Sequence, residues 1–121
     1  MKYLFLLIIL IGFSSCKTNY TLTTFYVKNP TAQSLNFKAS IIKYNSMGPY
    51  EMTLPFTVLP GDSVLARQVK LRNDIPPNKW FTQFVNFPVE GIVFNDPNLE
   101  NNWVKSIDEK GKPVFTFTLA K

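Results

Sequence analysis

The sequence predicts an all-β sandwich folded as a single domain. Three observations carry that prediction. After residue 21, apolar residues recur with period two rather than 3.6. The alternating runs are short and start roughly every 10–15 residues, as in sandwiches and barrels. Clusters rich in Pro, Gly, Asn and Asp stand between them. A chain of 121 residues has room for one domain. Its content of 45% hydrophobic and 15% aromatic residues argues against a disordered tail.

The first strand covers residues 22–28, with Phe25 and Val27 on one face, and Asn29-Pro30-Thr31 ends it. Residues 35–41 alternate cleanly: Leu35, Phe37, Ala39 and Ile41 face inward, while Asn36, Lys38 and Ser40 face water. Residues 45–49 form a turn. Residues 50–58 are apolar at every even position. Pro55 lies on the outward face and has no ladder donor, which places this strand at a sheet edge or a bulge. Leu59-Pro60-Gly61-Asp62 is a strong turn, because proline presets φ and glycine accepts positive φ.

Residues 63–71 alternate next, with Leu65, Val69 and Leu71 on one side. Residues 80–87 are denser in apolar side chains, as in a strand near the core centre. Residues 91–94 make a shorter run. Residues 98–105 have room for one helical turn. Residues 103–107 and 114–119 form a last hairpin about a turn at 108–111. Phe115, Phe117 and Leu119 share one face of it, and Thr116 and Thr118 face out.

The Asn29-Pro30-Thr31 break, the strands after it and the Leu59-Pro60-Gly61 turn resemble the immunoglobulin-type β-sandwich domains common in bacterial envelope proteins. The resemblance implies a single immunoglobulin-like β-sandwich of about seven to eight antiparallel strands over residues 22–121. It lies at the level of fold and assigns no function.

The N-terminus reads as an address. Lys2 precedes an unbroken apolar run from Tyr3 to Phe13, and Ser14, Ser15 and Cys16 follow. The run is too short for a spanning helix, which needs about 20 residues, and fits the apolar region of a secretory signal. Phe13-Ser14-Ser15-Cys16 resembles the lipobox of bacterial lipoproteins, although the family usually has Leu where Phe13 stands. The resemblance implies a signal peptide over 1–15, cleavage before Cys16, acyl chains on its sulfur and new N-terminus, and a short tether over 16–21. It also implies a bacterial cell-envelope location, lipid-anchored, with the outer membrane first: the periplasmic face, then the cell surface. Lys17 offers neither the acidic cluster of surface export nor the Asp of inner-membrane retention. Two or three acyl chains hold a protein stably where one does not, at about 0.8 kcal/mol per buried methylene. The only cysteine of the chain falls at this position, and an unmodified thiol in an oxidising compartment is a liability.

The chain has no histidine and one cysteine, which excludes an internal disulfide, a His/Cys zinc site and a His-based triad. No catalytic residue, metal ligand or cofactor is expected. A hydrolase would need two carboxylates converging in a cleft, and the eight here fall mostly in turns or on outward strand faces. From Asn95 to Asn102 the chain offers oxygens for calcium, but not at EF-hand spacing; a solvated run of Asx turns is the plainer reading. Trp103 beside Asn101 and Asn102 is the better of two candidate sugar platforms; Trp80, followed by Phe81 and Phe84, reads as core. Asp62-Ser63-Val64 resembles the O-glycosylation site of some exported bacterial proteins, which makes Ser63 a candidate. The modest positive charge suits anionic lipid head groups and not nucleic acid, which an exported domain rarely meets.

The expected function is therefore a membrane-anchored, non-catalytic interaction or accessory module. Its partners are the membrane and an envelope protein complex, contacted through an apolar or edge-strand patch near residues 50–58. The alternative is a carbohydrate-binding accessory using Trp103 and the Asn95 to Asn102 loop. That alternative requires Trp103 to be exposed.

Overall fold

A strand with period-two patterning has one apolar face, and two sheets bury such faces against each other. The computed structural model describes residues 20–121 and has this architecture. The expected signal peptide, Cys16 and residues 17–19 lie outside the described residues. Seven strands follow in chain order: β1 (Tyr20–Lys28), β2 (Leu35–Asn45), β3 (Gly48–Val58), β4 (Ser63–Arg72), β5 (Gln83–Asn86), β6 (Trp103–Ile107) and β7 (Pro113–Thr118). One sheet has the order β4-β1-β7-β6 and the other β3-β2-β5. The two sheets pack as a sandwich, as the alternation predicts.

All pairs are antiparallel except one. β1 lies parallel to β7, from Thr24 opposite Val114 to Lys28 opposite Thr118. These two strands open and close the sandwich, so no hairpin links them and nothing forces an antiparallel direction. β1 starts earlier than the patterning suggests. Tyr20 and Thr21, expected in the tether, already pair with Arg72 and Leu71.

The core is aromatic. Phe25, Phe37 and Phe117 have no exposed surface. Phe37 stacks on its cross-strand neighbour Phe56 and on Phe84, each at 4.8 Å between centroids. Such pairs contribute about 0.5–1.5 kcal/mol beyond area burial. Phe84 also joins the two sheets, meeting Phe117 at 5.3 Å and Trp103 at 5.9 Å between centroids.

Three local expectations are corrected. First, β4 carries a bulge. Arg67 pairs with Phe25 and Leu65 with the next residue, Tyr26, so Ala66 is the extra residue. One extra residue reverses the alternation. Leu71 is buried as expected, but Leu65 is 48% exposed, and Val64 and Ala66 pack on the core instead. Second, Ser40 is fully buried rather than facing water; its hydroxyl meets that of Thr53 at 2.6 Å, and its carbonyl accepts the N–H of Thr82. Third, only Gln83–Asn86 of the apolar 80–87 run is strand; it is an edge strand of its sheet, while Phe84 and the buried Phe81 pack in the core as the density of apolar residues predicts. A 3-10 turn at Pro77–Trp80 takes its beginning, because Pro76 and Pro77 supply no donors and preset φ. The 91–94 run makes only a single bridge, Phe94 to Ala120.

The turn between β3 and β4 has the conformation its residues predict. Gly61 has φ of 71°, and the Asp62 N–H donates to the Leu59 carbonyl at 3.0 Å. Side chains disfavour that φ, so Gly61→Ala lowers stability by about 1–2 kcal/mol, read as a shifted urea midpoint with an unchanged slope.

Candidate functional site

β5 covers only part of its neighbour. It pairs with Phe37 to Ser40 of β2, so the remainder of the β2–β3 hairpin has no further sheet partner. Across the sandwich mouth, β4 forms the edge of the other sheet. Between hairpin and β4 lies an open groove of about 850 Å³. Its apolar wall comes from Ile41, Met52, Leu54, Val69 and Leu71, with Trp80 beside them. These residues continue the inward faces of both sheets, so the groove is a stretch of core space left open.

Its charge has one sign. Lys43, Arg67, Lys70 and Lys79 line it, and no Asp or Glu does. Lys43, Lys70 and Lys79 are exposed. Arg67 is half-buried, its Nη1 donates to the Trp80 carbonyl, and its buried Nε has no partner. Desolvation by burial pushes the guanidinium pKa down from its ordinary value. Exposed apolar side chains add to the surface: Tyr44, in the groove lining, is 78% exposed, and Met47, beyond it at the hairpin tip, 95%. The Tyr50–Val58 stretch expected at an edge does lie at one, as β3.

The sugar platform is not there. Trp103 is only 4% exposed. Its ring stacks on Phe81 at 5.6 Å, tilts against Phe117 and meets Phe25 and Phe84 edge-on. Its indole N–H donates to the Pro97 carbonyl at 2.8 Å. No face is free for a pyranose. Asn101 is exposed, and Asn102 turns its amide to the Asp96 carbonyl. The rest of that loop is self-tied: Asn95 donates to the Thr118 carbonyl, and the Asp96 carboxylate accepts the Asn98 N–H in an Asx turn. Ser63 is exposed at the start of β4, beside the Asp62 carboxylate that accepts its N–H. Asn102 ends a 3-10 turn and Trp103 opens β6 directly after it, while Ser63 is not among the residues that line the groove.

Among the described residues, no three His, Cys, Asp or Glu side chains cluster closely enough to hold a metal ion. Nor is any described helix long and apolar enough to cross a membrane. Sequence patterning does not group the groove cations, because they come from three separate segments. It does carry one signal: Arg67 has the same parity as Val69 and Leu71, which marks an inward charge.

Compared with protein-family models, curated proteins and solved structures, the chain finds no match in any of the three. The fold and the groove together define a seven-stranded β-sandwich with a cationic, apolar-walled mouth between two strand edges.

Proposed function

We propose that this chain is a lipid-anchored protein of the bacterial envelope whose sandwich serves as a non-catalytic docking module. Acyl chains on Cys16 fasten it to the outer membrane, and the groove between β3 and β4 receives a protein partner. The observation that carries the reading is the groove itself: apolar side chains, three exposed lysines and the half-buried Arg67 line a surface that a monomer gains nothing from leaving open. The N-terminal pattern supports the anchor, since the one cysteine of the chain directly follows an apolar run and two serines. Three residues separate Cys16 from β1, so the sandwich sits within about 14 Å of the acylated residue. The carboxylates suit surface roles better than catalysis: Asp74 pairs with Arg72 at 2.8 Å, and Asp108 accepts the N–H groups of Lys110 and Lys112 in its own turn.

Cys16→Ser tests the anchor. The wild-type chain sediments with membranes, and the variant moves to the soluble fraction or accumulates with its signal peptide uncut. Mass spectrometry of the wild-type N-terminus finds an acylated residue 16. An unmodified thiol there, or a different cut site, overturns the reading.

A further inference from the structure

Resting on the reading of this chain as a docking module, we infer that the groove receives an extended, acidic segment of a partner protein, which adds to β4 as a further strand of its sheet. Among the described residues β4 is bonded to β1 alone, so its other side presents unpaired N–H and C=O groups, the template used in strand addition. The other edge at the groove is less receptive. β3 contains Pro49 and Pro55, each without a donor, whereas β4 has neither proline nor glycine in its ten residues. Beyond the bulge, Arg67 to Arg72 form a regular stretch opposite Phe25 to Tyr20 of β1. That stretch offers a partner of five or six residues a straight ladder, by the usual length of strands.

Edge strands commonly carry charges that repel other strands. Here those charges select instead of merely excluding. Lys43, Arg67, Lys70 and Lys79 surround the groove without a single carboxylate in its lining, so a basic strand is repelled and an acidic one attracted. Arg67 gains most. Its guanidinium sits half-buried with one carbonyl partner, and burial already disfavours its charge. Arg67 is the first residue of the regular stretch, so a carboxylate at the end of the added strand reaches it without breaking the apolar alternation and offsets that desolvation. The strand period then sets the partner's pattern. Alternate side chains of the added strand point into the groove against Ile41, Met52 and Leu54 and are apolar; acidic residues lie between and beside them.

A short synthetic peptide alternating valine and glutamate, fluorescently labelled, serves as probe against the full chain in a non-ionic detergent. Anisotropy shows binding that weakens with added salt, and replacing each glutamate by lysine in the peptide weakens it about tenfold or more. Hydrogen exchange slows at the alternate amides of residues 67–72 that face away from β1. Lys70→Glu, an exposed charge reversal that leaves the core intact, also weakens binding about tenfold. Equal binding of both peptides overturns the inference, as does no binding at all. Protection of β3 in place of β4 overturns it, and so does occupation of the groove by palmitate or anionic phospholipid vesicles but not by the peptide. Failure here leaves the anchor standing if Cys16→Ser still releases the protein. Retention in membranes of a Cys16→Ser chain whose signal peptide has been removed strikes the anchor and leaves the peptide result unaffected.

Discussion

Trp103→Ala costs the sandwich about 4 kcal/mol, a large part of the 5–15 kcal/mol typical of a whole domain. The ring contacts four phenylalanines from β1, β5, β7 and the segment before β5, so its removal opens a cavity that no single neighbour can fill. Trp103→Phe separates packing from hydrogen bonding. It keeps an aromatic ring but leaves the Pro97 carbonyl without its donor, at a cost of about 1–3 kcal/mol. Urea unfolding followed by far-ultraviolet circular dichroism reads both. A loss below about 1 kcal/mol for the alanine variant contradicts the burial. The same result governs how any effect of this residue on ligand binding is read: a variant that fails to bind has first lost its fold.

The fold class is legible because period-two patterning is strong wherever a strand has one wet face. β1, β2, β3 and the β6–β7 hairpin follow it closely, and the outward Pro55 marks β3 as an edge or bulged strand, of which the structure has the edge. Patterning fails where an irregularity is silent in sequence. Nothing in Leu65-Ala66-Arg67 announces a bulge, yet it turns Leu65 outward and brings Ala66 to the core. Ser40 has the parity of a wet residue and is buried all the same, because the chain entering β5 covers it and Thr53 satisfies its hydroxyl. The groove is less legible still. Its walls come from β2, β3, β4 and the 3-10 turn, and only the packing of two sheets brings Lys43, Arg67 and Lys79 together. Trp103 shows the opposite hazard. An asparagine-rich flank looks like a binding loop, but the indole needs a buried acceptor, and the Asn95 to Asn102 loop curls back so that Pro97 supplies it.

Asn29 is the second residue on which stability turns, and its sequence context shows only a strand-breaking Asn-Pro pair. The side chain is fully buried where the chain leaves β1 for the other sheet. Its Nδ2 donates to the carbonyls of Gln33 at 2.6 Å and Val58 at 2.9 Å, and its Oδ1 accepts from the Thr31 N–H at 3.0 Å and hydroxyl at 2.7 Å. One amide thus ties the 29–34 crossover to the end of β3. Asn29→Ala leaves buried carbonyls unpaired and costs about 3 kcal/mol. Asn29→Asp is the sharper test, because it keeps the shape and exchanges a donor for an acceptor. At neutral pH its carboxylate faces two carbonyl oxygens in a buried site, so this variant is less stable than the alanine one. Burial and those carbonyls raise its pKa in the folded state above the unfolded value of about 3.9. The folded state then binds the extra proton more tightly, so stability is greatest below that unfolded pKa and falls as pH rises through the folded one. Relative to Asn29→Ala, the aspartate variant therefore recovers on acidification, whereas the difference stays flat if residue 29 is exposed to water. Paired urea titrations of the two variants between neutral pH and about pH 4 decide between these outcomes.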